Sequence, residues 1–462
     1  MLAAAATTPS PTSAEGKSTD TAVPPAASAC SVNALQRRFE EEQLATTVPW
    51  LSVEVARRRI SRYLKPTIII KGRRIPDTEV QTHYKCDHMR RTGSYKERGA
   101  VNALLCLSKD KQQKGVIAAS AGNHAQALAY HGGKLGIPVV VVMPVNAPIV
   151  KRENCINFGA KVILFGKDFN AAKAEALRIA ERDRLTYVNG YDDPAVIAGA
   201  GTCGLEILDQ LPDVDAIVVP VGGGGLLGGI ALAVKKLNPN VLLIGVESER
   251  CANVTAALKA GKPVYTPVGA GGTVADGLAV NIVGSNAFQL IRNYVDEVIT
   301  VSEASITRAI LHLLEVEKMM VEGGGATGLA ALMSGKLSEK LKGKRVVTVI
   351  TGGNIDITVL GRVINHGLYA SGRLHMFDVA ISNRVGGLAA FTKALAKTGA
   401  SVKALSQETP LVNDINVTTL HMEVETTDDE HWGEVQAAMK AGGFVLKPFN
   451  GQMFNDVDLS KL

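Results

Sequence analysis

The chain reads as an α/β protein with a doubly wound parallel sheet, followed by a smaller βαββαβ module. Two observations predict this. Between about residue 115 and residue 353 short apolar runs alternate with helical patterns: GVIAA, PVVVVMP, KVILFG, TYVNG, DAIVVPVG, VLLIGVES, EVITVSE and RVVTVITGG. Continuous Val/Ile runs of this length between helices are the pattern of parallel strands covered on both faces. From 373 to 449 the pattern changes to RLHMFDVAI, GGLAAFTKALAKTG, ASVKALSQE, NVTTLHMEVET, DEHWGEVQAAMKAGG and FVLKPF. These read as strand, helix, strand, strand, helix, strand, the order of a ferredoxin-like module.

With 462 residues, 46% hydrophobic and 20% charged, the chain is long enough for roughly three compact domains. The apolar run IPVVVVMPV at 137–145 is far shorter than the roughly 20 residues a bilayer requires and reads as a buried strand. A net charge of +6, with 44 acidic residues interspersed among the basic ones, implies neither nucleic-acid nor membrane-surface binding. Cys30, Cys86, Cys106, Cys155, Cys203 and Cys251 are widely spaced with no CxxC pair. They read as reduced thiols, each a small buried apolar residue, rather than a disulfide or zinc framework. Residues 1–45 begin rich in Ala, Thr, Ser and Pro and are expected to be a disordered tail. That tail lacks a signal-peptide core and, with no Arg before Arg37, makes a poor mitochondrial presequence. The expectation is a cytoplasmic protein, with an organellar address left open.

The run TGSYKERGA at 92–100 presents Lys96 on a small-residue turn at a helix start. A lysine amine whose pKa is depressed can form a Schiff base with a carbonyl cofactor. Taken alone the signal is weak, because a lysine before Glu97 and Arg98 is more often part of a solvated helix face. Its company matters. In open α/β sheets ligands bind beyond the carboxyl ends of the strands, and three polar, glycine-containing segments fall there: SAGNH at 120–124, GGGG at 222–225 and TGGN at 351–354.

Gly222, Gly223, Gly224 and Gly225 follow an apolar strand and precede a helical stretch, the arrangement of a phosphate cradle. A rival remains open: Gly223, Gly225 and Gly228 satisfy GxGxxG, and Glu247 ends the next strand where a dinucleotide fold places its ribose-binding acid. Ser120 and the amides of Gly122 and Asn123 could hold a substrate carboxylate, although SAGNH by itself is an ordinary helix cap. Thr351 ends its strand, and a hydroxyl there would be a neutral partner for a pyridine nitrogen.

In this order the segments TGSYKERGA, SAGNHAQALAY, AGAGTCGLEI, VVPVGGGGLLGG, TVADGLAV and VITGGNID, from about residue 46 to 360, resemble the threonine dehydratase (threonine ammonia-lyase) group. These are tryptophan synthase β-like, fold-type II pyridoxal phosphate enzymes, a family that also holds serine dehydratases and serine racemase. The resemblance implies a two-domain body, with 46–95 and 191–360 as the large domain and 96–190 as the small one. It implies pyridoxal 5'-phosphate as cofactor, Lys96 as its Schiff-base lysine and Gly222 to Gly225 as its phosphate loop. Asn123 would meet the cofactor's phenolic oxygen and Thr351 its ring nitrogen. Ser94, Ser120 and Gly122 would help Asn123 hold the substrate, and a dimer or tetramer is expected.

Departures from the family pattern are Tyr95 for Phe, Thr351 for Ser, and Gly323 where a proline usually follows the glutamate matching Glu322. Ala121 stands where serine racemase carries a reprotonating serine, so racemisation is expected to be slow or absent. A divalent site known in relatives would use Glu247, the Cys251 carbonyl and an aspartate. Asn253 replaces that aspartate, so no metal is expected. The implied reaction removes water from L-threonine, or L-serine, and releases ammonia and a 2-oxo acid; β-replacement enzymes of the same family share the lysine and the glycines.

The piece from Asn365 to Val402 resembles the single ACT regulatory domain of medium-length threonine dehydratases, here 372–462. A branched-chain amino acid is the expected effector, held near Arg384, Val385, Gly386 and Gly387 where glycines allow close backbone approach. Two readings compete: an NAD-binding oxidoreductase, which leaves TGSYKERGA, SAGNH and TGGN without a use, and a non-catalytic amino-acid sensor, which explains only the C-terminal module.

Overall fold

A computed structural model of the chain describes residues 48–76, 78–408 and 415–449; the tail expected over 1–45 falls outside them. The first two strands, β1 (Ile69–Lys71) and β2 (Gln81–Lys85), are ones that apolar patterning does not single out. The eight apolar runs all form strands: β3 (Val116–Ala119), β4 (Val139–Met143), β5 (Lys161–Leu164), β6 (Thr186–Tyr187), β7 (Ala216–Pro220), β8 (Leu242–Ser248), β9 (Glu297–Val301) and β10 (Arg345–Val349).

They divide between two sheets. The smaller, in the order β5-β4-β3-β6, is parallel throughout. The larger has the order β1-β2-β10-β7-β8-β9 and is parallel except for the β1–β2 pair. Successive residues Ile217, Val218 and Val219 of β7 are completely buried, so both faces of that strand are covered. Burying such side chains contributes about 1.5–3 kcal/mol each, which is why the runs lack polar alternation. β2 escapes that pattern because its partner is β10 alone among the interior strands, and its buried residues include Thr82, Tyr84 and Lys85.

The third sheet is antiparallel. It consists of β11 (Leu374–Ser382), β12 (Ser401–Glu408), β13 (Val417–Glu425) and β14 (Leu446–Pro448), in the order β12-β13-β11-β14. The helices Gly387–Ala396 and Asp429–Ala441 complete a βαββαβ sequence. Phe377, Phe391, Leu420, Val424, Val435 and Met439 form its own buried core. β11 shows the period of two expected for a half-covered sheet, with Phe377, Val379 and Ile381 inward and Met376, Ala380 and Ser382 outward. Arg373, just before β11, donates from Nη1 to Glu315 Oε2 at 2.7 Å, a tie between this module and the helix Glu303–Glu315 of the body.

Among the described residues no helix is long and apolar enough to cross a membrane. Cys86, Cys155, Cys203 and Cys251 are buried free thiols, but Cys106 is exposed, contrary to expectation. It ends the helix Lys96–Cys106, whose last turn leaves the core.

Candidate active site

Three loops at carboxyl ends of strands converge on one cleft of about 350 Å³. From β3 come Ser120, Gly122 and Asn123; from β7 come Gly222, Gly223 and Gly224; from β10 comes Thr351. Lys96 joins them from the turn after β2. Gly225 does not line the cleft but opens the helix Gly225–Leu237. Ser94 is not part of it. That residue is completely buried, its backbone is bridged to Gly352, and its hydroxyl has no hydrogen-bond partner among the described residues.

The lysine turn is held from below by buried charge. Arg98, two residues after Lys96, is completely buried rather than solvated. Its Nε and Nη2 donate to Asp87 at 2.7 and 2.8 Å, and its Nη1 and Nη2 to Glu206 at 2.6 and 2.7 Å. Lys85 adds a bond to Glu206 at 2.7 Å. The Arg98, Arg90 and Lys85 charges overcome desolvation and hold the Asp87 carboxyl well below the usual carboxylate range. Glu97 is also buried and accepts from His131 Nε2 at 3.0 Å and from the Thr92 N–H at 2.5 Å. A turn anchored through both residues after the lysine leaves Lys96 at the first position of its helix, with its Nζ donating to the Gly190 carbonyl at 2.5 Å.

His124 stands close by. Burial, then the Lys96 charge, push its pKa down to about 3, and its Nε2 meets the Val188 carbonyl at 3.1 Å. The ring is therefore neutral, with Nε2 donating, and adds no second positive charge near the amine.

The glycine turn is an anion site by construction. Among the described residues no protein acceptor receives the backbone N–H of Gly222, Gly223, Gly224 or Gly225. Four free donors at a helix N-terminus suit a phosphate. The turn is kept tight because a Cβ on Gly223 would lie 2.3 Å from the Tyr191 ring, and one on Gly225 2.1 Å from the Tyr191 carbonyl oxygen. Asp192 fixes that neighbour by accepting from Ser285 N and Ala287 N, each at 3.0 Å. A Cβ on Gly122, in contrast, would meet nothing within 4 Å, so at that position the cleft is open. Lysine amine, free amide donors and open space together fit pyridoxal phosphate.

The dinucleotide alternative fails on Glu247. Its carboxylate is completely buried and consumed in capping the helix Asn253–Ala260, accepting from Val254 N at 2.7 Å, Thr255 N at 2.9 Å and Thr255 Oγ1 at 2.7 Å. Nothing is left for a ribose. Asn253 spans the loops instead, its Nδ2 donating to the Gly222 and Val280 carbonyls at 3.2 and 2.8 Å. Among the described residues no group of three or more His, Cys, Asp or Glu could hold a metal ion.

Sequence reasoning named Glu322 only as a family glutamate and Asn354 only within TGGN, and gave neither a role. Glu322 lines the cleft and accepts from Asn123 Nδ2 at 2.6 Å; Asn354 Nδ2 donates to Asn123 Oδ1 at 2.8 Å. The only local signal was a polar residue bordering each glycine run, VEGGG and TGGN. Arg384, Val385, Gly386 and Gly387 lie elsewhere, in the turn between β11 and the helix Gly387–Ala396. There Val385 is fully exposed, Gly386 has φ 92°, and Arg384 Nη2 reaches Asn416 Oδ1 at 3.4 Å.

A cleft that joins a lysine amine to a glycine phosphate turn, at the strand ends of an α/β body, defines a fold-type II pyridoxal phosphate enzyme. Residues 60–352 match the family described as pyridoxal-phosphate dependent enzyme, and the chain belongs to it. It is 42% identical over 372 residues to an L-threonine ammonia-lyase of Thermotoga maritima, covering 79% of this chain and 90% of that one. Among solved structures it resembles the processed form of threonine deaminase isoform 2 from Solanum lycopersicum, with TM-score 0.65 and 32% identity over 74% of this chain and 90% of that one. It also resembles serine racemase from Dictyostelium discoideum, with TM-score 0.63 and 34% identity over 68% of this chain and all of that one.

Proposed function

We propose that the protein is an L-threonine ammonia-lyase that also accepts L-serine, releasing ammonia with 2-oxobutanoate or pyruvate. The observation carrying this reading is the meeting of Lys96 Nζ, the free amides of the glycine turn, Asn123 and Thr351 in one cleft. Gly222 to Gly225 hold the cofactor phosphate, Lys96 its aldehyde carbon, Asn123 its phenolic oxygen and Thr351 its ring nitrogen. When bound, the cofactor supplies an electron sink for negative charge developing at the substrate Cα.

The rest is the work of the chain. Ser120 and the amides at the start of the helix Asn123–Leu135 orient the substrate carboxylate, with the positive end of the helix dipole aiding them. The Lys96 amine, once free, takes the Cα proton at Nζ, and the Gly190 carbonyl fixes where that amine stands. Thr351 offers a hydroxyl where a carboxylate would hold the ring nitrogen protonated, so the sink stays weak and loss of the β-hydroxyl outruns reprotonation. Ala121 has no proton to deliver to the opposite face, which disfavours racemisation. The β-hydroxyl departs as water, taking up the proton that Lys96 Nζ removed from Cα, and the released enamine tautomerises to an imine that water hydrolyses to the 2-oxo acid and ammonia.

The domain assignment follows the two parallel sheets: 96–190 as the small domain, 46–95 with 191–360 as the large. The C-terminal module, 372–462, serves as an ACT-type sensor of a branched-chain amino acid, with Arg384 to Gly387 as contacts. The assay is 2-oxo acid release from purified protein given L-threonine or L-serine, with and without isoleucine. Replacing Lys96 by Ala should abolish both that release and the visible absorption of bound cofactor; a variant keeping either sinks the reading. Removing 372–462 should leave activity indifferent to isoleucine.

A further inference from the structure

Asn123 is held in one orientation by a chain of hydrogen bonds whose direction can be read end to end. The Thr92 carbonyl can only accept, so Asn354 must present Nδ2 to it, at 2.7 Å. The same Nδ2 donates to Asn123 Oδ1 at 2.8 Å, which turns Asn123 Nδ2 toward Glu322 Oε1 at 2.6 Å. With Oδ1 occupied and one N–H given to Glu322, the remaining N–H of Asn123 is the hydrogen left for the cleft.

Two motif glycines make room for this chain. A Cβ on Gly352 would lie 2.2 Å from Glu322 Oε1, and one on Gly93 2.2 Å from Asn354 Oδ1. The glycine of the lysine turn and the first glycine of TGGN therefore serve the chain rather than the cofactor directly. Its three side chains come from different parts of the fold: the helix after β3, the position just before the helix Gly323–Met333, and the loop after β10.

We infer that Glu322 is a positioning residue: as an acceptor it locks the Asn123 amide with an N–H toward the cleft, so that the phenolic oxygen of the cofactor meets a donor. This rests on the function proposed above, in which Asn123 faces that oxygen. Protonation of Glu322 removes its negative charge, so it holds the Asn123 N–H less tightly and loosens the lock. The balance falls in the neutral range, because burial and the Asp276 charge push the Glu322 carboxyl up to about 7 while Lys151 and the bonds from Asn123 and the Asn354 backbone oppose them. Asp276 lies on the turn Asp276–Leu278 and Lys151 on the helix Ile149–Asn157; they pair with each other at 2.8 Å at the cleft.

The test measures pyridoxal phosphate affinity by absorption titration of the full-length protein between pH 5.5 and 8.5, without substrate. Glu322→Gln keeps an acceptor for Asn123 and cannot ionise. It should bind within about threefold of wild type at pH 6, and the ratio of wild-type to variant affinity should rise through pH 7. Glu322→Ala should lose about tenfold, the scale of one charged hydrogen bond, and adding it to Asn123→Ala should cost nothing more. Additive losses, or a ratio that stays constant with pH, overturn the inference. Should Glu322→Ala not fold, the comparison of wild type with Glu322→Gln across pH decides alone. A wild-type protein that binds no pyridoxal phosphate sinks the proposed function itself. One that binds it and deaminates threonine, yet shows additive variants, sinks only the role of Glu322.

Discussion

Replacing Arg98 by Ala tests whether buried charge holds the lysine turn. The guanidinium is completely buried and contacts Asp87, itself completely buried, and Glu206, whose side chain is 12% exposed. Removing one partner of such a cluster leaves carboxylates in a poorly solvated site, which costs about 3–5 kcal/mol. Asp87 keeps the Thr67 hydroxyl at 2.6 Å and Glu206 keeps Lys85 at 2.7 Å, which argues for the lower half of that range. Urea unfolding read by fluorescence should show the loss as a lower midpoint. The sign with pH follows from Asp87. Its folded pKa lies below the unfolded value of 3.8, so its contribution is present above that pH and is lost as pH falls through the folded value. The gap between wild type and variant should therefore be full at pH 7 and narrow below about pH 4. Arg178→Ala removes a pair between an exposed arginine and Glu175 and should leave the urea midpoint almost unchanged. An Arg98→Ala protein within about 1 kcal/mol of wild type at pH 7, or a gap that widens on acidification, would refute the reasoning.

Gly223→Ala forces a methyl toward the Tyr191 ring, 2.3 Å away. Overpacking of this kind costs about 1–3 kcal/mol, and because the strain falls on the phosphate turn, cofactor affinity measured by equilibrium dialysis should drop with stability. His421 bridges Asp378 on β11 at 2.7 Å and Glu408 at the end of β12 at 3.0 Å, bonds that raise its pKa above 6.5. Its support is present below 6.5 and lost as pH rises through the folded value. Hydrogen exchange at the end of β12 should therefore quicken beyond the ordinary pH dependence between pH 6 and 9, and His421→Gln should remove that excess.

The α/β body was legible because buried parallel strands write themselves as unbroken Val/Ile runs, and all eight such runs became strands. The cleft was legible because strand ends in such sheets carry polar, glycine-containing turns. The edge pair β1 and β2 was not, since Gln81–Lys85 is mostly polar and joins the sheet only through β10. Nor was the burial of Glu97 and Arg98. An Arg after a Lys looks solvated until Asp87 and Glu206, 11 and 108 residues away, close around it.

Local order thus determined the strands, the helix starts and the lysine and glycine turns, each set by neighbours within a few residues. Only tertiary structure decided which polar groups face one another. It consumed Glu247 in a helix cap, buried Ser94 and brought Glu322 and Asn354 to Asn123. The physical reason is that a buried donor or acceptor takes its meaning from its partner, and these partners lie 199 and 231 residues from Asn123, beyond the reach of any periodicity.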